Sequence, residues 1–322
     1  MFDVISFGSA TEDVFIHVPE KYSLNGKFSF KPGSKVEIID MKYFTGGGAT
    51  NTATAFSRLG LKASILCAVG GDDAGKSITK KLEVEKVDTS LVIKVKGKNT
   101  AYSAILTGFG RDRVVLVYSG TTASLNNTKI NWKKINAKWF YISSLHSKPK
   151  FLQEIVNRAK KIGAKIAFNP GQAELKLGVK KLAEIFGKID VLILNREEAL
   201  KLTGSADIHR NLKKLQEIAE ITVITDGKHG AYASEKDYSY YAKTFKIEPL
   251  DVTGAGDAFG SGFVSAIIKR KSIEEALIYG TSNSNSVIKY LGTKNVLLTE
   301  SQLKSFAKKY IKNKKYVKKQ KL

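Results

Sequence analysis

Residues 251–259, with the sequence DVTGAGDAF, hold the residue types that could perform chemistry. Gly254 and Gly256 flank Ala255, and the apolar pattern of residues 258–268 predicts a buried helix directly after them. Three successive backbone N–H groups therefore belong to a first helical turn, where no intrahelical acceptor exists and the helix dipole is positive. Glycine also leaves this backbone open to close approach. Such a turn is suited to bind a phosphate-like anion.

Asp257 distinguishes this segment from a passive phosphate-binding loop. A carboxylate beside an anion-binding turn repels a resting phosphate. It suits a general base that takes the proton of an attacking hydroxyl, while the N–H groups stabilise charge on the phosphoryl group in transfer. The alternative is a capped helix N-terminus, where Asp and Gly are common for structural reasons alone.

A second glycine-rich segment precedes another predicted helix. Gly46, Gly47 and Gly48 lie immediately before residues 49–59, whose pattern predicts a helix that Gly60 ends. Glycines at this place let a ligand approach the backbone very closely. We therefore expect a second ligand-binding turn here.

The two segments resemble the signatures of the ribokinase (PfkB) family of sugar and nucleoside kinases, D-x-T-G-A-G-D-A-F and G-G-x-x-x-N. The resemblance implies an enzyme that moves the γ-phosphate of ATP to a hydroxyl of a sugar, phosphosugar or nucleoside, with Mg²⁺ as cofactor. It also implies that Asp257 is the catalytic base, and that Gly254, Ala255 and Gly256 form the anion hole.

The resemblance implies binding roles for further residues that match family motifs. The positions that would contact the acceptor are Asp13, Gly46, Gly47, Gly48 and Asn51. The positions that would contact the nucleotide are Asn195, Glu198, Thr225, Gly227 and Asn283. Glu198 would orient Mg²⁺ through water molecules, and Asp251 and Thr253 would help to bind a monovalent cation such as K⁺.

The N-terminal signature departs from that of ribokinases proper, which usually read G-G-K-G-A-N. Gly48 stands in place of the lysine, and Thr50 precedes Asn51. The departure puts ribose in doubt as the acceptor, without affecting the family. Arg111 and Arg113 could bind a phosphorylated sugar or simply lie in a surface loop.

The elements around these motifs predict an α/β fold with a doubly wound, mainly parallel sheet. Phe2–Phe7 is predicted as the first strand, and strand–helix repeats follow from residue 138 onward. Residues 14–44 and 91–118 have strand patterns without intervening helices, so we expect them to form a small antiparallel lid. The kinase domain is predicted to span residues 1–303, and residues 304–322 to form a lysine-rich helix that fades into a disordered tail.

A competing motif lies at residues 70–77, whose sequence GGDDAGKS satisfies the P-loop pattern G-x-x-x-x-G-K-S. Asp72 and Asp73 oppose this interpretation, because each would repel the polyphosphate that such a loop binds. Lys76 would then be a surface lysine. A P-loop NTPase remains the alternative enzyme class.

Composition limits the partners and the compartment. The 322 residues carry a formal net charge of +23 and a single cysteine, Cys67, so no disulfide can form within the chain. No apolar stretch approaches the roughly 18 residues that would span a bilayer, and we expect a cytoplasmic protein.

The positive charge suggests nucleic acid as a partner, but the lysines are dispersed and no nucleic-acid motif is present. A basic nucleic-acid-binding protein on a kinase fold remains a second alternative. The oligomeric state stays open, because exposed lid edges could pair two copies in a homodimer.

Overall fold

The computed structural model describes residues 1–24, 27–109, 112–146, 148–245, 247–290, 292–311 and 316–322. Its strands are β1 (Phe2–Phe7), β2 (Thr11–His17), β3 (Ser23–Leu24), β4 (Lys27–Phe28), β5 (Asp40–Gly46), β6 (Ala63–Leu66), β7 (Ala68–Gly70), β8 (Ile93–Val95), β9 (Ala101–Phe109), β10 (Asp112–Tyr118), β11 (Ala137–Ile142), β12 (Lys165–Phe168), β13 (Ile189–Asn195), β14 (Ala219–Thr225), β15 (Ala231–Glu235), β16 (Tyr238–Ala242) and β17 (Val317–Lys321). Its helices are α1 (Gly48–Arg58), α2 (Asp73–Val84), α3 (Pro149–Ile162), α4 (Gln172–Leu175), α5 (Gly178–Phe186), α6 (Arg196–Thr203), α7 (Ile208–Leu215), α8 (Ala255–Ile268), α9 (Ile273–Val287) and α10 (Glu300–Ile311). Among the described residues, no helix combines the length and apolar character needed to cross a membrane.

The main sheet has the strand order β17-β16-β15-β14-β13-β12-β11-β1-β6 within the described residues. The strands from β6 to β14 in this order pair in parallel, and the last three pair antiparallel at one edge. Helices cover both faces of the sheet. The prediction of a doubly wound, mainly parallel α/β fold is therefore confirmed.

Apolar side chains of the central strands point alternately to the two faces of the sheet and form a hydrophobic core on each face. Leu192 and Leu194 of β13 pack on the face covered by α3, α5, α6 and α7. Val191 and Ile193 of the same strand pack on the face covered by α1, α8, α9 and α10. Successive side chains of a strand point to opposite faces, so a fully apolar strand is stable only with helices on both sides. The carboxyl ends of these strands then define one rigid edge at which ligands can bind.

A second sheet, with the order β10-β9-β2-β5, stands apart from the main sheet. Its two outer pairs are antiparallel, and β2 pairs with β9 in parallel. It corresponds to the predicted lid, with one correction. The run at residues 91–95 was expected in this sheet, but β8 pairs in parallel with β7 instead. Two glycines of these segments, Gly26 and Gly110, lie outside the described residues.

The C-terminal segment contradicts the predicted disordered tail. After α10, strand β17 adds to the main sheet by pairing antiparallel with β16. The ammonium group of Lys319 lies 4.1 Å from the centroid of the Tyr238 ring and 5.4 Å from that of Tyr240. Composition predicted disorder because the segment is rich in lysine, but the open edge of the sheet supplies backbone partners, and its tyrosine rings supply cation–π contacts.

We predict that deleting residues 312–322 exposes the edge of the main sheet. The β16 amides that donate to β17 should then exchange with deuterium about 10-fold faster or more, because their acceptors are lost. Hydrogen exchange measured by mass spectrometry on peptides covering Tyr238–Ala242 checks this. Unchanged exchange in these peptides would show that β17 contributes nothing to the sheet.

Candidate active site

The two glycine-rich segments meet at the N-termini of α1 and α8. Nδ2 of Asn51 in the first turn of α1 donates a hydrogen bond of 2.8 Å to Oδ2 of Asp257 in the first turn of α8, although the two residues are 206 positions apart. A Cβ on Gly48 would lie within 4 Å of Oδ1 of Asp257. The predicted base and the predicted acceptor-binding segment therefore share one site.

Asp13 reaches the same site from the second sheet. It lies in β2, which pairs with β5 so that Thr11 is opposite Gly46. The Asp13 carboxylate occupies the space that a side chain at position 46 would need, and the Thr11 hydroxyl donates to it over 3.0 Å. Gly47 has a φ of 95°, where glycine is strongly favoured. Glycines at these two positions thus let the Asp13 carboxylate pack directly against the start of α1.

The environment of Asp257 changes its proton affinity. Burial raises the pKa of the Asp257 carboxyl to about 6, because the charged form loses solvation. The hydrogen bond from Asn51 and the positive charge of Lys294 both lower this pKa and limit the rise. The result is a carboxylate that is mostly ionised at neutral pH and a stronger base than an ordinary aspartate.

Lys294 is a site residue that the sequence did not predict. Its Nζ donates to Oδ1 of Asn51 over 2.7 Å and to Oγ1 of Thr50 over 2.8 Å. The Thr293 hydroxyl also donates to Oδ1 of Asn51, over 2.8 Å. Two donors on the oxygen of the Asn51 amide fix its orientation, so that its NH₂ group faces Asp257. Burial lowers the pKa of Lys294 to about 7, against the opposing effect of Asp13 and Asp257.

The first turn of α8 differs in one respect from the predicted anion hole. Gly254 adopts a φ of 79° and begins the turn, but the N–H of Ala255 donates to the carbonyl of Val252 over 3.2 Å. The amides of Gly254 and Gly256 have no backbone acceptor within the described part of the chain. Both glycines line a cavity of about 180 Å³ together with Asp257.

Asn195 and Glu198 of the motif Asn195-x-x-Glu198 also line this cavity. The Asn195 side chain accepts from the Glu198 N–H over 2.9 Å, and the Glu198 carboxylate accepts from the Asn195 N–H over 2.8 Å. The pair therefore forms a capping box at the start of α6. Burial raises the pKa of the Glu198 carboxyl, and the nearby charge of Asp257 adds to that rise. Within the described ranges no group of three or more His, Cys, Asp or Glu side chains is arranged to hold a metal ion.

A larger and mainly apolar cavity of about 420 Å³ adjoins the smaller one. Thr225 and Gly256 line both cavities, and Gly227 lines the larger one. Asn283, also predicted to contact the nucleotide, lines neither cavity. Its amide is buried, donating to the Ala258 carbonyl over 2.8 Å and accepting from the Leu298 N–H over 3.2 Å. Asn285 lines the cavity instead.

Asp251 and Thr253, the residues predicted to bind a monovalent cation, lie just before the first turn of α8. Oδ1 of Asp251 accepts from the N–H of Thr253 over 2.9 Å and from its hydroxyl over 2.7 Å. Nη1 of Arg113, in β10, contacts the same oxygen at 2.9 Å. Arg113 thus bridges the second sheet to this loop. Arg111 lies outside the described residues.

The loop at residues 70–77 is closed by its own side chains. Oδ1 of Asp72 accepts from the Gly75 N–H over 3.0 Å, and Oδ2 accepts from the Thr100 N–H over 2.7 Å. Lys76 forms an exposed ion pair with Asp73 at 2.9 Å. The Asp72 carboxylate caps α2 and takes up the Gly75 N–H that a P-loop would offer to phosphate, which agrees with the rejection of that motif.

Two glycine-rich helix starts meet at a carboxylate on a doubly wound sheet, an arrangement suited to phosphoryl transfer to an alcohol. The sequence profile described as "pfkB family carbohydrate kinase" matches residues 1–300. The chain therefore belongs to the PfkB family of carbohydrate kinases. This family includes sugar and nucleoside kinases that use ATP, which confirms the predicted enzyme class.

Individual relatives are similar to this chain over nearly its whole length. A ribokinase of Haemophilus influenzae is 26% identical over 307 residues, covering 93% of this chain and 96% of the relative. A nucleoside kinase of Methanothermobacter thermautotrophicus is 26% identical over 309 residues, covering 94% and 95%. The structure of Arabidopsis thaliana ribokinase complexed with ribose and ATP matches with a TM-score of 0.83 at 17% identity, covering 95% of this chain and 99% of that one.

We predict that Lys76→Ala leaves nucleotide binding nearly unchanged. An exposed ion pair contributes little, so the dissociation constant for ADP should stay within about twofold of the wild-type value. Isothermal titration calorimetry with both proteins measures it. A loss of binding by about 100-fold would instead support the P-loop interpretation.

Proposed function

We propose that this protein transfers the γ-phosphate of ATP to a hydroxyl of a sugar, phosphosugar or nucleoside, with Asp257 as the general base. The 2.8 Å hydrogen bond between Asn51 and Asp257 carries the proposal. This hydrogen bond links the carboxylate at the start of α8 to the start of α1, where the residues predicted to bind the acceptor lie. A hydroxyl bound there can give its proton to Asp257 as it attacks phosphorus.

The acceptor is held by groups that suit hydroxyls. The Asp13 carboxylate accepts hydrogen bonds, and the Asn51 amide has a second N–H to donate besides the one that Asp257 accepts. Gly46, Gly47 and Gly48 let other protein atoms, including the Asp13 carboxylate, pack closely around this turn. A polar rim of this kind recognises several hydroxyl groups at once, which favours a carbohydrate portion in the acceptor.

The nucleotide occupies the two adjoining cavities. Its base and ribose lie in the larger cavity, whose wall includes Phe245, Ile247 and Phe259 as well as Thr225 and Gly227. Its terminal phosphates lie in the smaller cavity, toward the amides of Gly254 and Gly256. These amides stabilise the charge that develops on the phosphoryl group, and Ala255 joins them when its hydrogen bond to Val252 opens.

The residues of the smaller cavity fit a hydrated Mg²⁺ ion. This ion keeps several waters and is usually bound through one or two carboxylates and the substrate phosphates. Glu198 supplies a carboxylate at the cavity wall, and Asn195 lies beside it. A bound Mg²⁺ would neutralise charge on the phosphates. Glu198 would orient it through water, and the capping box holds the Glu198 side chain in place.

The acceptor is best identified with a panel. Ribose, fructose, fructose phosphates, adenosine, inosine and cytidine would each be tested with ATP and with ADP in a coupled assay. We expect phosphorylation of at least one of them, with ATP as donor. No turnover with any of them, together with no binding of ATP, would contradict the proposed function.

We predict that Asp257→Asn lowers kcat by about 10²–10⁴-fold, because the variant cannot accept the proton of the attacking hydroxyl. Its Tm should remain close to the wild-type value, since asparagine is isosteric and is not charged when buried. Asp73→Asn, at an exposed aspartate of α2, is the matched control and should keep full activity. Near-normal turnover by Asp257→Asn would rule out this residue as the base.

We predict that kcat/KM falls with decreasing pH through a midpoint near 6, where Asp257 becomes protonated and can no longer act as a base. In Lys294→Met the midpoint should move to higher pH, because the cation that lowers the pKa of Asp257 is removed. Initial rates measured between about pH 5 and pH 8 give both profiles. Lys161→Met, on the exposed surface of α3, is the control. An unshifted midpoint in Lys294→Met would show that Lys294 does not act on the base.

We further propose that the second sheet pairs two copies of the chain. Its strand β10 exposes a run of apolar side chains, including Leu116 at 57%, Val117 at 70% and Tyr118 at 54% exposure. An apolar patch of this kind is typical of an interface. Light scattering after size-exclusion chromatography should give a dimer, and Val117→Lys should give a monomer. Val84→Lys, at an exposed valine of α2, should remain dimeric. A monomeric wild-type protein would contradict the pairing.

A further inference from the structure

The Asp251 carboxylate is buried beside the loop that leads into α8, with only 4% of its side chain exposed. Its Oδ1 accepts three hydrogen bonds, two from Thr253 and one from Arg113. Its Oδ2 is buried and has no hydrogen-bond partner within the described residues. A buried carboxylate is stable only when a nearby positive charge compensates its negative charge. The group that supplies this positive charge therefore stabilises the loop before α8.

Arg113 already supplies that positive charge. Its guanidinium is charged at every accessible pH and contacts the carboxylate at 2.9 Å. A monovalent cation bound to the same carboxylate would lie within a few ångströms of the guanidinium and would be repelled by it. The residues present therefore do not fit a second cation while Arg113 is in place, which disagrees with the K⁺ ion that the resemblance implies.

We propose that Arg113 is the resident cation of the loop before α8, taking the place of a monovalent metal ion and making phosphoryl transfer independent of K⁺. This inference rests on the proposed function of that loop as the anion hole. Arg113 is a positioning residue: it acts on Asp251 and Thr253, which in turn hold Gly254 and the amides that follow. Because Arg113 belongs to β10, the ion pair also ties the anion-binding turn to the second sheet.

The proposal is tested by the response of turnover to K⁺ at constant ionic strength, with choline chloride as the replacement salt. The wild-type kcat should change less than about twofold between the two salts. In Arg113→Met, kcat in choline should fall about 10-fold or more, as expected for loss of a charge-assisted hydrogen bond, and KCl should restore much of it. Arg113→Lys should keep most activity in choline. Arg210→Met, at an exposed arginine of α7, should behave as wild type.

A thermal measurement tests the same proposal without relying on catalysis. K⁺ should raise the Tm of Arg113→Met by about 2 °C relative to choline, because an ion that binds only the folded state stabilises it. The wild-type Tm should not distinguish the two salts. The double variant Arg113→Met with Asp251→Asn should have a higher Tm than Arg113→Met and lose the K⁺ response, since no buried charge then needs compensation.

Different results overturn different claims. Strong activation or thermal stabilisation of the wild-type protein by K⁺ would show that a metal ion, and not Arg113, compensates Asp251. If K⁺ does not restore the activity of Arg113→Met and Arg113→Lys is also inactive, Arg113 is only a packing contact. A Tm of Arg113→Met that does not change with K⁺ would lead to the same conclusion. If the wild-type protein phosphorylates nothing in the acceptor panel, the proposed function fails, and the Tm responses still decide whether Arg113 is the resident cation.

Discussion

The site depends on one constraint, the meeting of two helix N-termini at a single half-buried carboxylate. Helix α1 brings Asn51 and helix α8 brings Asp257, and the hydrogen bond between them closes the junction. A side chain at Gly48 would meet the hydroxyl of Ser143, and one at Gly254 would meet Thr293, whereas a Cβ at Gly256 would meet no other atom. The positive ends of both helices also favour negative charge at this point. Local packing therefore requires small residues at positions 48 and 254, and Gly256 leaves its backbone open to a ligand.

Positive side chains complete the electrostatic balance of this junction. Lys294 lies behind the Asn51 amide, and Arg113 lies behind the loop that precedes α8. Lys294 donates a hydrogen bond to Asn51, which contacts Asp257, and Arg113 contacts Asp251 in the loop before α8. Ribokinases proper carry a lysine within the N-terminal glycine signature, where this chain has Gly48. In this chain Lys294, which is distant in sequence, places a positive charge beside Asn51.

Much of this arrangement could be predicted from the sequence, because it follows from local patterns. Strand β1 was predicted with its observed bounds, and the glycine-led starts of α1 and α8 were predicted within a few residues. Local sequence patterns specify these features. A short run of apolar residues indicates a strand, and glycines before apolar residues at helical spacing indicate the start of a helix. The roles of the individual site residues remain predictions that depend on the family resemblance.

Features set by long-range packing were missed. Nothing near Lys294 in the sequence indicates that its ammonium group lies against residues 50 and 51. Asn283 was predicted to contact the nucleotide, but Asn285 lines the larger cavity, because two positions along a helix rotate a side chain by about 200°, to the other face. The C-terminal lysines predicted disorder because composition does not reveal an unpaired sheet edge. The run at residues 91–95 is a strand, as predicted, but its partner could not be known from local pattern.

The most direct test of the central claim is a crystal structure of the protein with ADP, aluminium fluoride and the acceptor that turns over best in the panel. The account predicts that the acceptor hydroxyl lies within about 3.2 Å of a carboxylate oxygen of Asp257, in line with the aluminium fluoride, and that the fluoride contacts the amides of Gly254 and Gly256. An acceptor hydroxyl held away from Asp257, with the fluoride bound by other groups, would contradict it.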